Sequence, residues 1–180
     1  MADANLAMSW NDAQGYDRFM GKWSRVAGKI FLDWLALPKG LKWLDVGCGT
    51  GAFTETIQES CAAAEIVAID PAASHVAHGQ SLAKGGGLRF EVADARSMPF
   101  ENGRFDAAVS ALVLNFIPDR EKAVSEMCRV VRPGGIVAAY VWDFAGRSGT
   151  ISHLNAGLRE FQGVDTSAAQ SFTITVLAVN

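Results

Sequence analysis

The chain has 180 residues, of which 49% are hydrophobic and 19% are charged, and its formal net charge is −3. This length suits one globular domain, and the apolar content excludes a disordered chain. The acidic balance argues against nucleic acid as the main partner, and no apolar run approaches the roughly 20 residues that span a membrane. Cys48, Cys61 and Cys128 lack metal-type spacing and indicate free thiols. We therefore expect a cytoplasmic protein that contacts neither membrane nor nucleic acid.

The N-terminal part carries one helical pattern. Residues 1–14 are mostly small and polar and predict a loose terminus, whereas residues 15–37 form a predicted helical segment. Its apolar residues recur at helical spacing, and they are Trp23, Val26, Ala27, Ile30, Phe31 and Trp34. Pro38-Lys39-Gly40 ends this helix, whose apolar side we expect to pack against a sheet.

A glycine-rich corner follows. Residues 41–46 are mostly apolar, which is typical of a buried parallel strand. Gly47, Gly49 and Gly51 then permit positive φ angles and a close approach of another molecule to the backbone. From Ala52 the apolar spacing becomes helical. Strand, glycine loop and helix together predict the nucleotide-binding corner of a doubly wound α/β sheet.

Charge restricts what this corner binds. Gly47, Gly49 and Ala52 also satisfy the spacing of a dinucleotide-binding fingerprint, G-x-G-x-x-G/A. Asp45, however, ends the strand just before the loop, and no Lys or Arg lies between Trp43 and Cys61. A carboxylate in contact with a diphosphate repels it by about 1 kcal/mol or more, depending on the local dielectric. The loop therefore suits a cationic ligand better than a diphosphate.

The segment Asp45-Val46-Gly47-Cys48-Gly49-Thr50-Gly51 resembles motif I, D/E-x-G-x-G-x-G, of the class I S-adenosylmethionine-dependent methyltransferases. The resemblance implies that Asp45, Gly47, Cys48, Gly49 and Gly51 bind that cofactor. Because an N-terminal segment often covers the methionine end of the cofactor in this family, Tyr16 and Trp23 are candidate lid residues. Val131-Arg132-Pro133-Gly134-Gly135 before an apolar strand is a second feature of the family.

Two further acidic residues follow predicted strands. Asp70 ends the strand 65–69 about 20 residues after the loop, the interval expected for an acid on ribose hydroxyls. We place Asp70 and Pro71 in the cofactor site, although they could merely cap the helix 72–82. The resemblance also implies that Asp94 and Ala95 bind the adenine, with local backbone contacts as the alternative for Asp94. On the helix 72–82, His75 and His78 are expected to face solvent rather than to form a metal pair.

The next strand is predicted over 105–113. Asp106 lies near its start, remote from the ligand, and is expected to be structural. Ser110, Ala111 and Leu112 reach its carboxyl end, where they could line the cleft for cofactor or acceptor. The stretch 114–118 does not match the Asn-Pro-Pro-Tyr type motif of nucleobase methyltransferases, so methylation of a base is not expected.

The remaining elements complete an α/β architecture. A helix is predicted over 120–131 and a strand over 136–142, which closes a core of residues 41–143. In the atypical segment 144–180 we expect a helix over 151–161 and one strand over 172–179, where the family has two strands. The predicted fold is a single Rossmann-like domain over 1–180. Its sheet is doubly wound and mostly parallel, with helices on both faces and an incomplete antiparallel C-terminal part.

The expected function is transfer of a methyl group from S-adenosylmethionine to a small-molecule acceptor, by a monomer or homodimer without a metal. No residue stands out as a general base, and Tyr16, Asn115 and Trp142 are candidate pocket residues only. A nicotinamide-dependent oxidoreductase is the alternative enzyme, although the chain lacks a Tyr-x-x-x-Lys pair. The non-enzymatic alternative is a module that binds the cofactor without catalytic activity.

Overall fold

The computed structural model describes residues 22–83, 86–142, 158–163 and 172–178. The helices are α1 (Lys22–Leu35), α2 (Ala52–Ser60), α3 (Ala73–Leu82) and α4 (Arg120–Val130), with a short 3-10 helix over Leu114–Phe116. The strands are β1 (Lys42–Val46), β2 (Glu65–Asp70), β3 (Leu88–Val92), β4 (Phe105–Ala111), β5 (Val131–Trp142), β6 (Leu158–Gly163) and β7 (Phe172–Ala178). Within these ranges, no helix has the length and apolar character needed to cross a membrane.

The strands form one sheet in the order β3-β2-β1-β4-β5-β7-β6. Strands β1 to β5 run parallel to one another, and β7 runs antiparallel to both β5 and β6. The order reverses direction at β1, so the carboxyl ends of β1 and β4 flank a topological switch point, where doubly wound sheets bind ligands. The predicted Rossmann-like parallel sheet is confirmed.

The C-terminal part differs from the sequence prediction. The antiparallel part was expected to be incomplete, with one strand over 172–179. That strand is observed as β7 over Phe172–Ala178, and β6 over Leu158–Gly163 is a second one. The helix expected over 151–161 is therefore wrong from 158 onward. The physical reason is non-local, because every residue of β6 pairs with a residue of β7 and the local sequence does not show that pairing.

Strand β5 also begins earlier than predicted. Pairing with β4 runs from Phe105–Val131 directly to Ala107–Ile136, so residues 132–135 bulge out of the ladder. A Cβ at Gly135 would lie 2.5 Å from the carbonyl oxygen of Asp106, which is closer than packed atoms tolerate. The Arg-Pro-Gly-Gly segment is thus a bulge within the strand rather than a turn before it.

Side chains pack on both faces of the sheet. On one face, Phe31 of α1 and Phe53 of α2 pack against Tyr140 of β5, and the rings of Phe31 and Tyr140 have centroids 4.9 Å apart. On the opposite face, Met127 of α4 packs in a cluster with Phe105. Helices therefore cover both faces, as predicted for a doubly wound sheet.

Only part of the predicted apolar side of α1 is buried. Ala27 and Phe31 are buried as expected, but Val26, Ile30 and Trp34 are exposed at 50%, 45% and 38%. The apolar stripe is wider than the strip of helix that contacts the core, so burial of the whole stripe was a wrong prediction.

The amino ends of the strands, remote from the switch point, are held by ion pairs. Asp106 accepts a 2.8 Å hydrogen bond from the amide of Lys42 and pairs with Arg132. These partners hold the pKa of Asp106 below its ordinary value despite its partial burial. The structural role predicted for Asp106 agrees with this position.

Candidate active site

The glycine loop has the geometry that its sequence predicted. Gly47, Gly49 and Gly51 all have positive φ angles, of 77°, 53° and 96°. A Cβ at Gly47 would overlap the side chain of Val113, so this position admits no larger residue without rearrangement. The loop therefore brings bare backbone to the carboxyl end of β1.

Strand β2 fixes the loop from the neighbouring position in the sheet. The carbonyl oxygen of Ile69 accepts hydrogen bonds from the amides of Gly47 and Cys48, at 2.8 and 2.9 Å. The carboxylate of Asp70 accepts a third from the amide of Gly49, at 3.0 Å. Three consecutive loop amides are thus tied to the end of β2, which keeps the loop in one conformation.

Asp45 lies beneath this loop rather than beside a ligand. It is 1% exposed, its Oδ2 accepts a 2.6 Å hydrogen bond from Thr54 of α2, and its Oδ1 has no hydrogen-bond partner in the described part of the chain. Burial, followed by repulsion from Asp70, raises the pKa of Asp45 to about 7 against the hydrogen bond from Thr54. Asp45 lines neither of the two cavities next to the loop, so any effect on a ligand acts through the loop or through its charge.

The larger of these cavities, of about 500 Å³, opens at the carboxyl ends of the strands. This volume lies within the range of about 300–1,000 Å³ that small-ligand sites occupy. Residues predicted for the cofactor site line it from four different strand ends, and they are Gly47, Gly49, Asp70, Pro71, Asp94, Ala95 and Leu112. Side chains far apart in sequence therefore meet at one cavity.

A smaller cavity, of about 30 Å³, lies on the other side of the loop. It is lined by Cys48 and Ala111, together with Ser24 of α1 and Phe53 of α2. Burial and the nearby carboxylates raise the pKa of the Cys48 thiol well above its ordinary value, so it stays protonated at neutral pH. Gly51 lines a third pocket, on the side of Glu55 and Phe90.

His75 differs from its sequence prediction. It was expected to face solvent, but it is 8% exposed and lines the large cavity. Its Nδ1 lies 3.5 Å from Oδ1 of Asp70, which also accepts a 2.9 Å hydrogen bond from the amide of Ala72. Its position in the first turn of α3, directly after Asp70, turns the imidazole back toward the strand end.

Asp94 carries a partner that the sequence reading missed. Arg96 reaches back to it, with Nη2 at 2.7 Å from Oδ2 and Nε at 3.0 Å from Oδ1, and both residues line the large cavity. These hydrogen bonds lower the pKa of Asp94 to about 2. The spacing of two residues within a turn indicates such a pair, although it does not reveal that the pair faces a cavity.

The carboxyl end of β4 forms the opposite wall. Leu112 has a φ of 61°, in the left-handed region that a leucine rarely adopts. Its amide donates a 2.8 Å hydrogen bond to the backbone carbonyl oxygen of Tyr140. Ser110 does not reach the cavity, because it is fully buried and donates to the carbonyl of Val46. Phe116, which is 51% exposed, forms part of the apolar rim with Ile117.

Some candidate residues are not placed at the site. Tyr16 lies outside the described residues, as do the side chains of Trp23 and Trp142. Asn115 is exposed in the 3-10 helix and lines neither cavity beside the glycine loop. Among the described residues, no group of three or more His, Cys, Asp or Glu side chains is arranged to hold a metal ion.

Several curated relatives resemble the chain over more than half of its length. The demethylmenaquinone methyltransferase of Thermus thermophilus is 36% identical over 63% of this chain and 51% of its own length. Squalene methyltransferase 1 of Botryococcus braunii is 31% identical over 74% of this chain and 38% of its own length. The chain spans about half the length of the curated relatives it matches, or less.

Solved structures share the fold. A chain in the structure described as a complex between the Haloferax volcanii Trm112 methyltransferase activator and the putative methyltransferase matches with a TM-score of 0.74, over 94% of this chain and 96% of its own. At 18% identity, this match shows the fold alone. The [4+2]-cyclase SpnF matches with a TM-score of 0.62 and 28% identity over 66% of this chain and 44% of its own.

The family itself is shown by sequence. A model described as a methyltransferase domain matches residues 44–139, more than half of the chain, and this range extends from β1 into β5. It therefore contains the glycine loop and all of the large cavity's lining residues. The chain belongs to the methyltransferase domain family and has the class I fold.

Proposed function

We propose that the protein transfers a methyl group from S-adenosylmethionine to a small-molecule acceptor. One observation carries the proposal: Asp70 and Asp94 line a single cavity of about 500 Å³ that is bounded by the glycine loop. Two acceptor side chains beside bare backbone suit a ligand with hydroxyl and amino donors and little negative charge.

The residues at the cavity fit the adenosyl part of this cofactor. The carboxylate of Asp70 has four acceptor positions, of which the amides of Gly49 and Ala72 use two. The remaining positions suit the two hydroxyls of a ribose. Asp94 and Ala95, which follow β3, suit the amino group and a ring nitrogen of adenine. Arg96 donates two hydrogen bonds to Oδ1 of Asp94 and one to Oδ2, which leaves an acceptor position on Oδ2 for the amino group.

The methionine end would lie toward the glycine loop. Gly47 and Gly49 border both cavities, so a ligand that extends past them reaches the side of Cys48 and Ser24. Asp45 lies beneath the same loop, and its ionised form would favour a positively charged ligand there over a neutral one. A diphosphate in this position would lie beside the carboxylate of Asp70 and above the loop that covers Asp45, which argues against a nicotinamide dinucleotide.

S-adenosylmethionine supplies a methyl group that is already activated for displacement. The chain's own residues then have to bind the cofactor and the acceptor, orient them and exclude water, because alignment of the two molecules provides most of what such a reaction needs. Phe116 and Ile117 give the cavity an apolar rim, which suits an acceptor that presents an apolar portion to it. The net charge of −3 further favours a small molecule over nucleic acid.

Ligand binding is the first test. Isothermal titration with S-adenosylhomocysteine and, separately, with NADH should show binding of the former only. Binding of NADH alone would replace this proposal with the oxidoreductase alternative, whereas binding of neither ligand would contradict both.

Methyl transfer is the second test. Incubation with methyl-labelled S-adenosylmethionine and a metabolite extract should give a labelled small molecule. Tight binding of S-adenosylhomocysteine without label transfer would instead favour a cofactor-binding protein with no methyl transfer. The match to a [4+2]-cyclase shows why this distinction needs an experiment, since the fold is not restricted to one reaction.

A further inference from the structure

The turn that follows β3 brings two opposite charges to the wall of the large cavity. Asp94 and Arg96 both line it, and Arg96 is the one lysine or arginine among the described residues that do so. Their side chains are 45% and 43% exposed, and exposed ion pairs contribute little to the stability of a protein. We therefore expect the contribution of this pair to folding to be small.

The backbone closes the turn without the guanidinium. The amide of Ser97 donates a 3.0 Å hydrogen bond to the carbonyl oxygen of Asp94. The amide of Arg96 donates a 2.8 Å hydrogen bond to Oδ1 of Asp94. Both donors belong to the main chain, so a substitution of the Arg96 side chain does not remove them. What the guanidinium adds is a second hold on the carboxylate group.

This hold includes both carboxylate oxygens. Nη2 of Arg96 lies 2.7 Å from Oδ2 of Asp94, and Nε is shared between Oδ1 and Oδ2, at 3.0 and 3.2 Å. A planar fork that donates to both oxygens fixes the orientation of a carboxylate, which a single hydrogen bond does not. The carboxylate of Asp94, although nearly half exposed, therefore has one preferred orientation before a ligand enters.

Orientation matters because the proposed function gives Asp94 a donor to recognise. We propose that Arg96 is a positioning residue, which holds the carboxylate of Asp94 ready to accept from the amino group of the cofactor's adenine. The inference rests on the proposed function and adds to it a residue that acts through Asp94 rather than on the ligand. A preordered acceptor spares the binding step the entropy of immobilising one side chain.

The test compares protein variants against two ligands that differ in one group. The ligands are S-adenosylhomocysteine and its 6-deamino analogue, in which a hydrogen replaces the amino group of the adenine. They are titrated into the wild type, Arg96→Ala, Arg96→Lys, Asp94→Ala and the double variant Asp94→Ala/Arg96→Ala. Circular dichroism verifies that each variant is folded.

Arg89→Ala is the matched control. Arg89 also faces an acid two residues away, with its Nε 3.5 Å from Oε1 of Glu91. It lies on the strand that precedes the turn and does not line the large cavity. This variant should therefore bind both ligands as the wild type does.

We expect Arg96→Ala to lower the affinity for S-adenosylhomocysteine by about 2- to 10-fold, the cost of ordering one more side chain on binding. Its affinity for the deamino analogue should not change, since the group that Asp94 recognises is missing. In the Asp94→Ala background the same substitution should have no further effect, because the side chain through which Arg96 acts is absent. Arg96→Lys should be intermediate, because an ammonium cannot hold both oxygens with a planar fork.

Three results would overturn the inference. An equal loss of affinity for both ligands in Arg96→Ala would mean that Arg96 contacts the ligand or supports the cavity wall. Tighter binding of S-adenosylhomocysteine by this variant would mean that the guanidinium competes with the adenine for Asp94. Additive losses in the double variant would mean that the two residues act independently.

The same titrations separate a failure of the inference from a failure of the proposed function. If the wild type binds S-adenosylhomocysteine and Arg96→Ala binds both ligands as the wild type does, the inference alone fails. If the wild type and the control are folded yet bind neither ligand, the proposed function fails and the inference fails with it.

Discussion

The amide of Gly49 donates a 3.0 Å hydrogen bond to Oδ2 of Asp70, which joins the glycine loop to the end of β2. The acid that we assign to the ribose is therefore also a support of the loop. Replacing it should affect ligand affinity and loop stability together, whereas an acid elsewhere on the sheet should affect stability alone.

Asp70→Ala should accordingly weaken binding of S-adenosylhomocysteine by about 100-fold, because hydrogen bonds to a charged group contribute about 1.5–3 kcal/mol. It should also lower the melting temperature, since the Gly49 amide loses its acceptor. Asp106→Asn is the control: it breaks the pair with Arg132 at the remote ends of the strands, so it should lower stability and leave affinity unchanged. Titration calorimetry and thermal unfolding measure the two quantities, and equal affinity losses in both variants would contradict the assignment.

Asp45 predicts an unusual dependence of stability on pH. Its pKa is about 7 in the folded protein, raised from an ordinary 3.8, so the folded state holds a proton that the unfolded state has lost between these values. The contribution of Asp45 to the free energy of unfolding is therefore fully present below about pH 4 and falls as pH rises through about 7. The loss is about 4 kcal/mol or less. In Asp45→Asn this pH-dependent contribution is absent, because an amide does not titrate.

Urea unfolding of the wild type and Asp45→Asn between pH 4.5 and pH 8 measures this effect. The difference in unfolding free energy should move in favour of the variant as pH rises. Other carboxyls act in the opposite direction, such as Glu126, whose pKa is lowered to about 2, but they are common to both proteins and cancel in the difference. Parallel pH profiles would show that Asp45 is ionised throughout.

How far the sequence predicts the site depends on whether each property is local. The positive φ angles of the glycine loop follow from residue type, and the placement of Asp70 and Asp94 at one edge follows from strand order in a parallel sheet. The burial of His75 does not follow, because its helix has no clear apolar periodicity and its environment is set by the neighbouring strand end. The pairing of Arg96 with Asp94 is local, but its position at the cavity is not.

The same reasoning explains where the sequence-based prediction of the fold was wrong. Residues 158–163 form a strand only through their pairing with β7, which no local pattern reveals. Val26 and Ile30 belong to a regular apolar stripe, yet their exposure depends on how much of α1 the core contacts. Periodicity predicts which residues share a face of a helix, and tertiary contacts decide how much of that face is buried.

Gly47 allows the backbone and steric demands of the loop to be separated. Gly47→Ala introduces a Cβ at a φ of 77° and against the side chain of Val113, and Gly40→Ala introduces one at the same φ with no heavy atom within 4 Å. The free energy of unfolding of Gly40→Ala should therefore fall by only about 1–2 kcal/mol, the cost of a left-handed alanine, and this variant should bind S-adenosylhomocysteine normally. The free energy of unfolding of Gly47→Ala should fall by about 1–3 kcal/mol more than that of Gly40→Ala, and its affinity for S-adenosylhomocysteine should be far lower.

The double variant Gly47→Ala/Val113→Ala completes this comparison. Removing the Val113 methyl groups relieves the contacts with Cγ1 and Cγ2, but the Cβ of residue 113 stays 2.9 Å away and the unfavourable φ remains. Stability should therefore recover only part of the way toward that of Gly40→Ala. Chemical unfolding of the four proteins measures the stabilities, and calorimetry measures the affinities. If Gly47→Ala were no less stable than Gly40→Ala, the contact with Val113 would not restrict the loop.

Arg129 of α4 anchors the connection that follows Asp94. Its guanidinium donates to the carbonyl oxygens of Met98 and Phe100, at 3.0 and 2.7 Å, and pairs with Glu126, which accepts from the amide of Met98. Arg129→Ala should lower the free energy of unfolding by about 2–3 kcal/mol, because two partly buried carbonyl oxygens and the carboxylate of Glu126 lose their donor. Arg120→Ala, an exposed position at the start of the same helix, should change it by less than about 0.5 kcal/mol.

Arg129→Lys distinguishes geometry from charge. A lysine keeps the positive charge but cannot reach the carbonyls and Glu126 simultaneously with a planar fork, so it should recover less than half of the stability lost in the alanine variant. Chemical unfolding of the three variants and the wild type measures this order. Full recovery in Arg129→Lys would mean that charge alone, rather than the fixed array of hydrogen bonds, holds the connection between β3 and β4 in place.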